Sequence, residues 1–313
     1  MKLQVASCKL QGWRQGRRAQ VVSTVNRQPS TFNRLRRAFS LVEVMVVMVL
    51  LSLIVLALMA VFNFTQSAFR TGVTQTDVLE SGRATIDLLA ADLRNLAPSR
   101  GANNGAVNFC AFYTNSSPAL VQSLVGSSQP RVNVLERFFI LSRNNVNGRD
   151  IWTGTGYVVD TGSATSIYPL YRFSASTNAG AAGPAVLFNN FINAPIAGMS
   201  HLMDGVVDLT VRAFDPNGVW MASGYTNAQN VSFPVTLGVG GCYMFSNTLP
   251  ASVEIEMGVL EDRTLQRAES LPNNLPALPP NDRRTIYLQA QAGAVHIFRQ
   301  RVSIPNVDPS AYQ

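Results

Sequence analysis

Arg36 to Phe64 reads RRAFSLVEVMVVMVLLSLIVLALMAVFNF, and this stretch decides the fold. From Val44 to Phe62 every residue is apolar except Ser52. Those 19 residues form a helix of about 28 Å at roughly 1.5 Å per residue, close to the hydrocarbon thickness of a bilayer. One acid, Glu43, lies at the margin of the apolar run. A lone carboxylate there is costly in lipid and marks a position with a purpose. A secretory signal peptide has a shorter apolar core, about 7–15 residues, and a small-x-small cut site, and neither fits here. A plain anchor leaves Glu43 unexplained.

Charge divides the chain at the same point. The whole sequence carries 25 Lys and Arg against 18 Asp and Glu, a formal +7. Nine of the basic residues, Arg36 and Arg37 among them, lie in residues 1–38, which contain no acid. From Phe39 onward 16 basic face 18 acidic residues, a net of −2. The basicity therefore belongs to a short segment beside the span, and the positive-inside rule keeps that segment cytoplasmic. Arg36 and Arg37 read first as part of this retention signal, and second as residues that help present a cut site beside them. A near-neutral remainder gives no electrostatic support for nucleic-acid binding. The expected topology is N-terminus in, C-terminal domain out.

Beyond the span, Phe69, Val73, Leu79, Ile86, Leu89, Leu93 and Leu96 recur at helical steps, with Thr76 between them, so the helix is expected to continue as an amphipathic rod over 65–98. Gly72 and Gly82 interrupt the stripe at about 1 kcal/mol each relative to Ala, and are expected to permit bending. Pro98 and the following SRGANNGA end it.

From Val107 the character changes to short β-rich runs separated by Gly, Asn, Ser and Pro. VNFCAFY (107–113), VLERFFIL (134–141), GYVVD (156–160), IYPLYRF (167–173) and AVLFNNFI (185–192) read as strands. So do GVVDLTVRAFD (205–215), followed by a DPNG turn and a resumed strand at VWMA, and ASVEIEMGVLED (251–262). SLPNNLPALPPNDRR (270–284) reads as a loop, with one or two elements after it. The expected class is α+β: one long helix, membrane-spanning in its first half, packed on an antiparallel sheet.

Few side chains suggest chemistry. Cys110 and Cys242 lie in the exported portion and could form one bridge, or remain two buried thiols. His201 and His296 sit in strand-like runs and read as structural residues. NNVNGRD (144–150) lacks the acids of a calcium loop and reads as a polar turn. GTG (154–156) and GVGG (238–241) are too short for phosphate loops. No zinc spacing and no nucleophile elbow is present. No cofactor, metal site or catalytic residue is expected.

At this point the residues carry a resemblance. RRAFSLVEVMVVMVLLSLIVLAL resembles the N-terminal signature of type IV pilins and type II secretion pseudopilins. ESGRATIDLLAADLRNLAP (80–98), MDGVVDLTVRAFDPNGVW (203–220) and LPASVEIEMGVLED (249–262) are similar, in order, to islands of the minor pseudopilin J and PilW-like minor pilins. The C-terminal part is also similar to the pilin-like Verru_Chthon cassette proteins.

The resemblance implies a pilin-like fold. It implies a leader, 1–38, removed by prepilin peptidase between Ala38 and Phe39, with N-methylation of Phe39. It further implies a filament-core helix over 39–64, a β-rich periplasmic domain over 107–313, and Glu43 as the residue that pairs with a neighbouring subunit's amine. Implied partners are prepilin peptidase, other pilins or pseudopilins and an inner-membrane assembly platform, with no nucleic acid. The implied role is a minor subunit of a secretion pseudopilus or a pilus, with a pilus-tip binding module as the alternative and an anchored enzyme disfavoured. Two features depart from the family pattern. Ala38 stands where Gly is usual, and a 38-residue leader is long. Met45 is the next methionine after Met1, so an alternative start before the cut would need a non-Met codon.

Overall fold

The computed structural model describes residues 40–99, 106–113, 120–124, 126–162, 166–178, 183–233, 241–271 and 283–312. The chain divides into two compact units, 1–60 and 61–313. In the first unit the described backbone is the start of helix α1 (Leu41–Arg94), and every described residue of that unit is exposed. α1 as a whole has 54 residues and is long and apolar enough to cross a membrane.

In the second unit α1 docks on two antiparallel sheets. The larger is built from β1 (Val107–Phe112), β4 (Arg137–Val146), β5 (Arg149–Val159), β6 (Leu170–Asn178), β7 (Ser200–Met203), β9 (Val231–Ser232) and β10 (Cys242–Phe245), in the order β7-β6-β5-β4-β1-β10-β9. The smaller holds β8 (Val206–Phe214), β11 (Ser252–Leu260) and β12 (Val295–Ser303), in the order β12-β11-β8. A short pair, β2 (Leu120–Gln122) with β3 (Arg131–Asn133), stands apart. The arrangement is the expected α+β, a long N-terminal helix followed by an antiparallel sheet domain.

The helix buries Val78, Thr85, Ile86, Leu89, Ala90 and Leu93, and Leu96 just after it is buried as well. The last four apolar positions of that set pack with Phe109, Phe138, Ile140 and Tyr157 of the larger sheet and Val211, Val253, Ile255 and Met257 of the smaller one. Gly82 makes the closest approach. A Cβ added there would lie 2.4 Å from the ring of Phe298 on β12. Gly82 is thus a contact residue, and α1 runs through it unbroken.

The predicted stripe is corrected at its start. Phe69, Val73 and Leu79 are exposed, at 71%, 58% and 42%. At about 100° per residue, the six residues from Val73 to Leu79 turn the stripe by about 240° net, so Phe69 and Val73 point away from the face that Leu89 and Leu93 bury. Thr76 returns its hydroxyl to the Gly72 carbonyl, 2.9 Å away, instead of packing. The helix also ends at Arg94, before Pro98.

Residues 185–192 form helix α2 (Ala185–Asn193) and not a strand. Leu187, Phe188 and Phe191 share one helical face, whereas strand alternation would have placed Leu187 beside Asn189. α2 covers the far face of the larger sheet with Phe139, Trp152, Phe173 and Tyr243. The glycines of the GTG segment are what let it in. A Cβ on Gly156 would lie 2.3 Å from the Phe191 ring, and one on Gly154 would crowd Phe139 and Leu187.

NNVNGRD is a polar turn. Asn147 and Gly148 adopt positive φ, 52° and 76°, between β4 and β5, as the Asn-Gly hairpin signal requires. After DPNG the strand does not resume. Trp220 makes one isolated bridge to Phe214. The predicted 270–284 loop falls largely outside the described residues, and its last two residues already belong to helix α4 (Arg283–Gln289). That helix and α3 (Asp262–Glu269) enclose a small third core around Leu260, Ala268 and Leu288.

The two glycines of α1 separate by experiment. Gly82→Leu should destabilise the second unit by about 1–3 kcal/mol through overpacking against Phe298. Gly72→Ala, whose Cβ meets nothing within 4 Å, should be neutral or stabilising by up to about 1 kcal/mol. Urea midpoints of the two variants in detergent check this.

Candidate functional site: the N-terminal segment

The predicted cut residues Ala38 and Phe39, and Arg36 and Arg37 before them, lie outside the described residues. The first described residue is Ser40, and it caps α1. The Glu43 N–H donates to Ser40 Oγ at 3.2 Å, and the Val44 N–H to the Ser40 carbonyl at 3.3 Å. Ser40 and Glu43 stand at capping-box spacing, Ser-x-x-Glu, which was present in the sequence and unread there. Glu43 therefore has a local role beside any intermolecular one, because an acid in the first turn also meets the positive end of the helix dipole. Its side chain is exposed, as are the apolar side chains that follow it as far as Phe64. Ser52 satisfies its own hydroxyl inside the apolar run by donating to the Met48 and Val49 carbonyls at 3.0 and 2.9 Å. Among the described residues the span then carries no uncompensated polar group except the Glu43 carboxylate.

Elsewhere the predicted site residues are structural. Cys110 and Cys242 are free, buried thiols, the second of the two alternatives the sequence left open. Cys242 stands opposite Ala111 and Cys110 opposite Tyr243 on neighbouring strands. Successive strand residues face opposite ways. Cys242 thus joins the core under α1 and Cys110 the core under α2. Burial raises both thiol pKa values, that of Cys242 to about 12. His201 on β7 pairs with Asp204 at 3.1 Å and edges onto Tyr171, while His296 lies in β12. Among the described residues no group of three or more His, Cys, Asp or Glu is placed to hold a metal.

Two buried polar clusters were missed by sequence reasoning. In the first, Arg172 grips Asp92 with two bonds, Nε to Oδ2 at 2.9 Å and Nη2 to Oδ1 at 3.1 Å, and the Tyr157 hydroxyl also donates to Asp92. This cluster ties the end of α1 to β5 and β6. The second joins the two sheets. Leu209 N–H donates to the Val134 carbonyl (2.7 Å), Glu136 N–H to the Leu209 carbonyl (2.8 Å), and Val211 N–H to the Glu136 carboxylate. Beside it Asp208 accepts from the Val134 N–H and from Arg131. Neither cluster announces itself in sequence, because the partners are 15 to 80 residues apart.

These features together describe an N-terminal helix, capped at its start, bare on its surface and apolar enough to cross a membrane, ahead of a folded α+β domain. Residues 33–59 match the family model described as the prokaryotic N-terminal methylation motif. The N-terminal segment thus carries a prokaryotic methylation motif that overlaps the start of the apolar helix. Among solved structures, a type IV-like pilin from Thermus thermophilus is similar at 12% identity and a TM-score of 0.36, over 74% of this chain and 98% of that one. No curated protein matches the chain.

Burial raises the Glu136 carboxyl pKa from 4.5 to about 7, against the Val211 N–H and Arg212, with Asp208 adding to the rise. A raised folded-state value means that the neutral form fits the seam. The stability is fully present below about pH 4.5 and is lost as pH rises through about 7. The protein should therefore be less stable at pH 8 than at pH 5 by roughly 2 kcal/mol from this residue, its partial exposure allowed for. Glu136→Gln should flatten that difference in urea titrations at the two pH values.

Proposed function

We propose that the chain is a minor pilin or pseudopilin subunit, made as a precursor with a cytoplasmic leader over 1–38. Prepilin peptidase cuts between Ala38 and Phe39 and methylates the Phe39 amine. The helix over 39–64 holds the subunit in the inner membrane and then in the filament core. Residues 65–94 carry the helix into a periplasmic domain over 107–313. The observation that carries this reading is the methylation motif over residues 33–59 running directly into an exposed apolar helix.

The chemistry at Glu43 follows from solvation. A carboxylate and an amine in an apolar filament core are each costly alone, and pairing relieves both. Phe39 and Glu43 are four residues apart in sequence, the spacing of one helical turn, so the cut chain would offer an amine to one neighbour and a carboxylate to another from the same end. Other pilins, the peptidase and an inner-membrane assembly platform are the partners of this scheme. The J-like and PilW-like islands at 80–98, 203–220 and 249–262 favour a subunit of a secretion pseudopilus or of a pilus, and the pilus-tip binding module is the second form of the same reading. Copurification with secretion-system subunits supports the first, and with pilus components the second.

Glu43→Ala should be cut normally yet lose most of its incorporation into filaments, read by shearing and immunoblotting. Normal incorporation removes the pairing role. A charged residue at Ala38 should block the size shift of processing, and an unchanged shift removes the cut site.

A further inference from the structure

One face of the smaller sheet packs under α1; the other is covered at its Val207, Leu260 and Val295 end by the third core, and no described element is laid across its Arg212, Glu254 and Arg301 end. That outer face presents Arg212 and Phe214 of β8, Ser252, Glu254 and Glu256 of β11, and Arg299 and Arg301 of β12. The acids of the central strand are shared. Glu254 pairs with Arg212 at 3.4 Å and Arg299 at 3.5 Å, and Glu256 pairs with Arg299 at 2.7 Å. Three guanidiniums thus stand over two carboxylates, and Arg301 is the one left without an ion pair among the described residues.

Arg301 is nonetheless fixed. It reaches across β11, donates Nε–H to Ser252 Oγ at 3.0 Å, and lies over the Phe214 ring with its guanidinium 4.1 Å from the centroid. Stacking and one hydrogen bond hold the plane and leave the outer N–H groups free, a rigid fork matched to a carboxylate. Beside it Arg212 lies over Trp220, 5.9 Å from the ring centroid. Trp220 and Val219 are 55% and 48% exposed on a turn that is itself rigid. Buried Asp215 accepts from the Val219 N–H at 2.7 Å and from the Tyr225 hydroxyl at 2.9 Å, and Gly218 supplies the positive φ. At the other border β12 is an edge strand, paired with β11 alone among the described residues, and its Ile297 is exposed.

We propose that this face docks an acidic peptide segment of a partner protein. The unmatched Arg301 supplies the charge complementarity. Trp220, Val219 and Ile297 supply fixed apolar contacts of the kind that dominate protein interfaces. The free edge of β12 supplies backbone donors and acceptors that a polypeptide matches and a polysaccharide does not. The surface belongs to the folded domain and is independent of whether the chain is cut at Phe39.

The test uses the full chain in detergent and a decaglutamate peptide, followed by Trp fluorescence. Trp152 is buried, and loss of the signal in Trp220→Phe assigns it. Wild type should show a saturable, salt-sensitive change. Arg301→Gln should weaken it by about tenfold, the worth of one lost charged hydrogen bond. Arg143→Gln, the same charge change on the β4–β5 hairpin, should leave it unaltered. Trp220→Ala, on an exposed turn, should weaken binding in calorimetry with folding unchanged. No binding, equal binding by Arg301→Gln, equal loss in Arg143→Gln, tighter binding of polygalacturonate, or Arg301-dependent self-association without peptide would each overturn the proposal.

Discussion

The docking of α1 on the two sheets is the contact on which the folded unit depends. Leu89, Ala90, Leu93 and Leu96 are fully buried, and their neighbours come from both sheets at once. Burying a leucine is worth about 1.5–3 kcal/mol, so these few side chains hold a large share of what a domain of marginal stability has to spare. The helix is also what lets two sheets share one core. Without it their inner faces, Phe109 and Tyr157 on one and Val253 and Ile255 on the other, would lose their common cover. Gly82 and the Asp92–Arg172 pair fix the docking at two heights, one by closeness of approach and one by bidentate charge.

The same helix meets a different requirement upstream. Residues 41–60 bury nothing within their own unit, and their apolar side chains can be satisfied only by lipid or by other helices. Ser52 shows how the rule is kept, by returning its hydroxyl to the helix. Glu43 is the exception to it. Its position beside the Ser40 cap explains why an acid is tolerated at the helix start, and the tolerance ends where the apolar environment begins. The subunit pairing proposed above resolves the conflict by bringing an amine to the carboxylate.

Much of this was legible in sequence, for identifiable reasons. The span and the charge divide are local patterns, as are the Asn147–Gly148 hairpin and the alternating strands at 206–214 and 252–260; the Ser-x-x-Glu start is as local but went unread. The errors arose where local pattern was ambiguous or where distant partners decide. A short apolar run such as 185–192 suits a helix or a strand until Asn189 and Asn190 are weighed. Phe69 and Val73 looked periodic until the phase was carried through Leu79. The face orientation of Cys110 and Cys242 depends on a strand register that neither residue encodes. The Glu136 seam and the Arg301 fork join residues that are far apart in the chain, so only the fold brings them together.

The central claim is that the chain matures at Phe39. Mass spectrometry of the N-terminal peptide of protein purified from membranes measures this directly. The account predicts a chain that begins at Phe39 with one methyl group on its amine. An intact Met1, or a new N-terminus beyond residue 60, would contradict it.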